Sequence, residues 1–363
     1  MSKVKFGDIV REVKVNVDRE NNPYEFYVAG DHMDSEDLTI RRKGRFDTDD
    51  VGPAFTRIFK PGQILYGSRR TYLKKVAVAD FEGICANTTF VLESKDPNVF
   101  CQELLPFIML SDEFSKWSIG HSKGSTNPYV LFSDLAGYTL DLPSIEEQKE
   151  LANKLWAAYK VKESYQQLLS TTDEMLKAKF QEMFGDVEQI ALGDKLQTTS
   201  GGTPSSKNRT YYEGGTIPWL TSGEVRQGTI SSTEAYITES GLENSSAKWV
   251  PEGSVVIAMY GATVGSVGIL KIPVTTNQAV CSILPNEKFN STFLYYAIQS
   301  KYEWMLSQAR GAAQPNISQL IIKQMLIPNP PMELQQQFAE IATQAEATKA
   351  SLRASIEAID RVI

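Results

Sequence analysis

Histidine and cysteine are nearly missing. His32 and His121 stand far apart, and Cys85, Cys101 and Cys281 have no regular spacing. This excludes a disulfide framework and gives no ligand set for a metal, so none is expected. Long apolar runs are missing as well. No stretch of 18 apolar residues occurs, and MSKVKFGDIV has no apolar signal core. The expectation is a cytoplasmic protein without a leader or membrane anchor. There is no P-loop, no nucleophile elbow and no H-E-x-x-H. Asp49-Asp50 and Glu146-Glu147 are acidic pairs without a histidine or a metal-ligand spacing beside them.

An overall basic charge is also lacking. The net charge is −7, which speaks against a polyanionic partner. Net charge averages over faces, however. Between Arg41 and Lys75 stand ten basic residues: Arg41, Arg42, Lys43, Arg45, Arg57, Lys60, Arg69, Arg70, Lys74 and Lys75. The same stretch has three acids, Asp47, Asp49 and Asp50, and so carries +7. A polyanion senses such a local surface.

What the chain does have is a repeat. Its 363 residues suffice for two or three domains. Phe6-Gly7-Asp8 matches Leu192-Gly193-Asp194 at an offset of 186. Gly124–Pro128 matches Gly311–Pro315, Pro143 matches Pro330, Gln148 matches Gln335 and Ala152 matches Ala339, all at 187. Two copies of a unit of 185 or so residues follow from these offsets. Each copy starts with short β-branched and aromatic runs, such as Ile64–Tyr66, Val76–Val78, Thr89–Leu92, Val255–Tyr260 and Val280–Leu284. These predict strands, with helices over 100–117 and 290–308.

Each copy ends in one long predicted helix, starting after Pro143 or Pro330. An apolar seam at heptad spacing runs through Leu151, Ala158, Val161, Tyr165, Leu168 and Met175 in the first. In the second it runs through Leu334, Phe338, Ile341, Ala345, Leu352 and Ile359. Such narrow stripes predict that the two helices pair with each other. The expected organisation is a recognition module over 1–144, a central helix over 145–186, a second module over 187–331 and a distal helix over 332–363. The fold class is α+β: two mixed α/β modules joined by two long antiparallel coiled-coil helices with pseudo-twofold symmetry.

Asn329-Pro330-Pro331 invites comparison with an amino-methyltransferase active site. It is followed by Met332, where an aromatic ring would be needed to stack on a flipped base. The first repeat has no Asn-Pro-Pro at the matching place. Gly261–Gly268 has the wrong spacing for a cofactor loop and leads from one strand run to another. It reads as a tight backbone loop near a ligand, and Asn329-Pro330-Pro331 as a proline-rich helix start.

Thr199–Ser205, Tyr211–Leu220 and Thr221–Val225 resemble a target-recognition domain of the specificity subunits of type I restriction-modification systems. Tyr27–Asp34, Ile40–Arg42, Leu65–Leu73 and Ala79–Cys85 resemble another version of that domain. Asn277-Gln278-Ala279 and the P-x-x-x-x-Q helix starts at Pro143–Gln148 and Pro330–Gln335 agree with the same family, and the order of parts covers essentially the whole chain.

The resemblance implies a subunit that does no chemistry. Each module would read half of a gapped double-stranded DNA site. The helices would set the gap and dock two methyltransferase subunits, and a motor-nuclease subunit is an optional third component. S-adenosylmethionine and ATP belong to those partners, and the chain itself takes no cofactor. One departure is the distal helix, which stops at Ile363 while its central counterpart runs on to about Phe184. DNA contacts are expected from Arg41, Arg42, Arg69, Arg70, Tyr72, Lys74, Lys123 and Asn127 in the first module. In the second they are expected from Lys207, Arg209, Tyr211, Ser222, Arg226, Tyr260, Thr263, Arg310 and Asn316. Competing readings are a specificity subunit of a related modification system, a catalytic nucleic-acid enzyme, and a duplicated protein-interaction scaffold.

Overall fold

The computed structural model describes residues 2–18, 21–311 and 315–363. Two compact units divide the chain, Met1–Ser164 with Ser355–Ile363, and Tyr165–Ala354.

In the first unit, a four-stranded antiparallel sheet has the order Val10–Glu12, Thr89–Ser94, Ile64–Gly67, Val76–Val78. A second sheet orders Gly44–Arg45, Phe26–Val28, Gly83–Ala86 and Phe55–Phe59 and contains one parallel pair. A ribbon of Ser2–Lys5 with Thr139–Leu142 leads into the central helix, Ile145–Phe184. The second unit repeats this plan. Val255–Ala258 lies between Val280–Ile283 and Val267–Leu270, and a ribbon of Gln189–Ala191 with Leu326–Pro328 precedes the distal helix, Met332–Asp360.

The helices predicted over 100–117 and 290–308 are each broken in two. Leu105–Leu110 is followed by Asp112–Gly120, with the Ser111 hydroxyl accepting from the Phe114 N–H at 3.3 Å. Ser291–Gln299 is followed by Tyr302–Gln308. The apolar pattern runs through both breaks, so periodicity alone does not mark them.

One buried glutamine anchors each long helix. Gln148 and Gln335 are each 1% exposed. The Gln148 Oε1 accepts from Cys101 N at 2.9 Å, and its Nε2 donates to the carbonyls of Val99 and Pro143 at 3.1 and 3.0 Å. Gln335 copies this: Oε1 accepts from Asn290 N at 2.9 Å, and Nε2 donates to Lys288 O and Pro330 O at 3.1 and 2.9 Å. All of these groups are satisfied where water does not reach. The proline before each helix is therefore the carbonyl partner of the glutamine. Asn329 adds only a backbone link, its N–H donating to Glu188 O at 2.9 Å.

The central seam is corrected. Leu151, Val161, Leu168 and Met175 are 42–48% exposed, and Ala158 and Tyr165 are half-buried. The buried face holds Gln148, Ala152, Leu155, Tyr159, Thr172, Leu176, Phe180 and Phe184. A heptad count favours apolar types and so passed over Gln148. It followed a second apolar stripe instead. On the distal helix, Phe338, Ala345 and Leu352 are buried, and Leu334, Ile341 and Ile359 half-buried. Within the second unit the helices run antiparallel. Lys349 Nζ meets Asp173 at 2.5 Å, and Phe180 and Phe184 pack on Phe338 at ring distances of 5.2 and 5.6 Å.

Two charged clasps tie modules to helices. In the first unit, Asp37 accepts from the Tyr159 hydroxyl at 2.6 Å and from Arg41 Nε at 2.6 Å, and Arg41 also donates to Glu163 at 2.9 Å. Burial acts to raise the Asp37 carboxyl, but these hydrogen bonds outweigh it and hold it below the usual carboxylate range. The sign follows: this stabilisation is present above the unfolded value of about 3.9 and is lost as pH falls through the lowered folded value. Asp37→Asn should therefore make acid unfolding of the first unit less steep, measured by circular dichroism between pH 5 and pH 2. In the second unit, Lys349 pairs with Glu346 at 2.8 Å, and Glu346 accepts from the Tyr296 hydroxyl at 2.8 Å.

Candidate nucleic-acid interface

Chain reversal at the end of a strand needs its polar backbone groups satisfied elsewhere. In the first unit the strand Ile64–Gly67 leaves the sheet at Ser68, whose N–H and hydroxyl both donate to Thr88 O, at 3.1 and 2.6 Å. A hairpin around Gly124 (φ +90°) is closed by Lys123 and Tyr129, which exchange backbone bonds of 2.8 and 2.9 Å. Two bonds stitch loop to hairpin: Arg70 N to Pro128 O at 2.6 Å and Val130 N to Ser68 O at 2.9 Å. Arg70 and Lys74 adopt the left-handed backbone, φ 49° and 46°, on either side of the turn Thr71–Leu73. Non-glycine residues hold that conformation at a cost and are met at functional loops. Arg69, Arg70, Tyr72, Lys123 and Asn127 are brought together here, all exposed.

The second unit builds the same object. Gly261 N donates to Pro315 O at 3.0 Å, Ile317 N to Met259 O at 2.9 Å, and Arg310 and Asn316 exchange backbone bonds of 2.9 Å each. The Gly311–Pro315 motif includes Ala312, Ala313 and Gln314, which lie outside the described residues. Tyr260, Arg310 and Asn316 are exposed, and Thr263 donates through its hydroxyl to Ser222 O at 3.0 Å, which adds the Ser222 turn. Lys207, Arg209, Tyr211 and Arg226 fall elsewhere in the unit. Lys207 and Arg209 are exposed, and Tyr211 is half-buried with its carbonyl accepting from Thr238 N at 2.9 Å. Arg226 lines a cavity of about 430 Å³ together with Lys271, Lys349 and Arg353.

The +7 stretch is largely neutralised by its own surroundings. Arg41 is held by Asp37 and Glu163, Arg42 by Asp34, Arg45 by Glu25 and Asp47, and Lys74 by Glu36 and Asp112. Arg57 is buried against Glu12 at 3.0 Å. Lys43 lies over the Phe26 ring at 3.5 Å. Arg41, Arg42 and Lys74 are thus engaged within the fold, and Lys123 pairs with Asp134 at 3.0 Å. Among the described residues, Arg69, Arg70 and Arg310 make no ion pair, and neither do Lys60, Lys75, Lys207 and Arg226, which lie away from the stitched loops. Arg69, Arg70 and Arg310 stand on the stitched loops.

Sequence reasoning missed Tyr129. It is 40% exposed, and the Arg69 guanidinium lies 6.0 Å from its ring. The 187 offset that carries Pro128 to Pro315 also carries Tyr129 to Asn316, which is the available signal. Gly201 is fixed by packing, since a Cβ there would meet Thr276 O at 1.8 Å. Among the described residues, no group of three His, Cys, Asp or Glu gathers as a metal site, and no helix is long and apolar enough to cross a membrane.

Comparison with known proteins places this geometry. The family profile described as "Type I restriction modification DNA specificity domain" matches residues 11–170 and 185–361. The EcoR124I/EcoR124II specificity subunit of Escherichia coli is 30% identical over 43% of this chain and 40% of its own length. The MjaIX specificity subunit of Methanocaldococcus jannaschii is 33% identical over 43% and 36%, so the chain spans about two fifths of these relatives. The HindI specificity subunit of Haemophilus influenzae is 20% identical over 90% of this chain and 89% of its own. The crystal structure of a type I S subunit from M. genitalium shares the fold, with a TM-score of 0.62, 15% identity and coverage of 99% and 93%. A chain solved in a study of type I system assembly does so with a TM-score of 0.59, 19% identity and coverage of 99% and 94%. With both of its repeats matched by one profile, the chain belongs to the type I restriction-modification DNA specificity family.

Proposed function

We propose that this chain is the DNA-sequence-specificity subunit of a type I restriction-modification complex and does no chemistry itself. The observation that carries the reading is the stitched loop and hairpin, built twice with the same backbone bonds and tipped with unpaired arginines. Backbone groups in these loops are consumed by each other, which leaves side chains free to meet phosphate and base edges. Each unit reads one half of a gapped site. Two methyltransferase subunits, carrying S-adenosylmethionine, modify a flipped adenine in each half. A motor-nuclease subunit with ATP cuts unmodified DNA. No cofactor is assigned to this chain.

The helices act as the ruler for the gap, as an antiparallel pseudo-twofold pair. Support comes from two ion pairs, Lys162–Asp360 in the first unit and Lys349–Asp173 in the second, both at 2.5 Å. Their partners are related by the repeat, since 349 − 162 and 360 − 173 are both 187. A twofold interface pairs i with j and j with i in this way. Adding one heptad to each helix lengthens it by about 10 Å. The recognised gap should grow by about three base pairs, at roughly 3.4 Å per step. An unchanged gap, read by methylation mapping, would discard the ruler.

Leu168 and Met175, one heptad apart and 46% and 48% exposed on the central helix, form the methyltransferase docking stripe. Leu168→Glu with Met175→Glu should weaken capture of the methyltransferase subunit at least about 100-fold, since buried charges at a helix seam are strongly disfavoured. Thermal stability should hardly change, because both side chains are already in water. Co-purification at wild-type yield would remove the stripe from the interface.

A further inference from the structure

The two repeats carry opposite charge where a module faces its long helix. Strand register sets the correspondence, because Val78 pairs with Ile64 as Ile269 pairs with Val255. Val78 N donates to Leu38 O at 2.8 Å, and Ile269 N donates to Gly228 O at 2.7 Å. Leu38 therefore corresponds to Gly228, Glu36 to Arg226 and Asp37 to Gln227, at an offset of 190, and Asp80 corresponds to Lys271 at 191. On the long helices the offset of 187 carries Glu163 to Ala350 and Gln166 to Arg353. The first unit uses its acids internally: Asp37 binds Tyr159 and Arg41, Glu163 binds Arg41, and Glu36 pairs with Lys74. In the second unit those carboxylates have no counterpart. There a cavity of about 430 Å³ is lined by Arg226, Lys271, Tyr295, Glu346, Lys349 and Arg353, all within that unit. Among the described residues, no hydrogen bond or ion pair joins 226–229 to the distal helix.

We propose that this cavity binds the phosphate dianion of a small ligand, either free phosphate or a phosphate monoester. The bound anion links the second module to the distal helix, as Asp37 links the first module to the central one. Charge sets the ligand class. Lys349, with its side chain 8% exposed, is matched by Asp173 and Glu346. Arg226, Lys271 and Arg353 make no ion pair among the described residues. Four cations thus meet two acids. A phosphate monoester, at about −1.5 to −2, cancels that surplus. The lining also offers donors. The Tyr295 hydroxyl accepts from Gln299 Nε2 at 3.4 Å and gives its own proton to no acceptor among the described residues. The guanidinium forks of Arg226 and Arg353 suit bidentate contact with phosphate oxygens. Arg226 and Lys271 come from the module and Arg353 from the helix, so one tetrahedral set of acceptors is reached from both sides. The cavity is also of the size that takes a small ester. Its residues stand apart from the stitched loops, so the site is independent of the DNA contacts proposed there.

The test is isothermal titration calorimetry of the full chain with inorganic phosphate and with adenosine monophosphate, at fixed ionic strength. One saturable site per chain is expected. Tighter binding of the monophosphate assigns the site to an ester, and equal or tighter binding of inorganic phosphate assigns it to the free anion. Arg226→Glu, which restores the charge of Glu36, should weaken binding at least about 30-fold, and Arg353→Gln at least about tenfold. Both side chains are exposed, so these variants should keep the circular dichroism of the parent chain. As a second measurement, saturating ligand should raise the melting temperature of the parent chain and leave that of Arg226→Glu unchanged. Absence of saturable binding by either probe overturns the proposal, as does equal binding by the parent chain and Arg226→Glu. Succinate binding as tightly as phosphate overturns the phosphate assignment. Displacement of the ligand by a short DNA duplex overturns the proposal as well, because it makes the cavity part of the DNA interface.

Discussion

Gln335→Ala should lower the stability of the second unit by about 3 kcal/mol. The substitution leaves one buried N–H, at Asn290, and two carbonyls, at Lys288 and Pro330, without the partners they now have. Each orphaned group costs roughly 1–3 kcal/mol, and partial hydration of the new cavity recovers some of it. Gln335→Glu is more informative because its shape is almost unchanged. Its carboxylate still accepts from Asn290 N, but the second oxygen now faces two carbonyl oxygens. The buried acid should be held protonated to a higher pH than in the unfolded chain. The loss is therefore smallest below about pH 4.3, grows as pH rises through the raised folded value, and is constant above it. Urea unfolding at pH 4 and pH 8 measures both. Gln148 should behave alike in the first unit, where its three bonds are the same. Equal stability of the alanine and wild-type chains would show that the clamp contributes nothing.

Arg69→Ala together with Arg70→Ala should weaken specific DNA binding by about 2–6 kcal/mol, counting about 1–3 kcal/mol for each charged contact. These arginines differ from their neighbours in lacking an internal acid, whereas Arg41 and Arg42 are already matched by carboxylates. If both contact phosphate, the slope of log affinity against log salt should also fall by about 2. Arg41→Ala gives the contrast. It should loosen the clasp with Glu163 and lower stability while changing the salt slope little, because its charge is spent inside the unit. Binding titrations at several salt concentrations separate the two. Unchanged affinity in the double variant would take this loop out of the interface.

The repeat was legible because the offsets survive at residues whose geometry is shared. Pro143 and Pro330 both precede a helix and both give their carbonyl to a glutamine. Strands such as Ile64–Gly67 and Val255–Ala258 were visible as β-branched runs between glycines. The central seam was not legible in its true register, because the face that packs includes Gln148, Ala152 and Thr172, which are polar or small. Leu168 and Met175 look like core in a heptad count, yet they face water. The candidate interface was half legible. Residue type pointed to arginines in loops, but not to which of them folding had already paired. That information lies in contacts across the chain, such as Arg41 with Glu163, 122 residues away.

The most direct test is to co-express this chain with a methyltransferase subunit that captures it, and to map methylated adenines by single-molecule sequencing. A two-part motif with a fixed gap, absent without this chain and losing one half when Arg69 and Arg70 are replaced, is the predicted result. Methylation at an ungapped or unchanged motif, with or without the chain, would contradict the account.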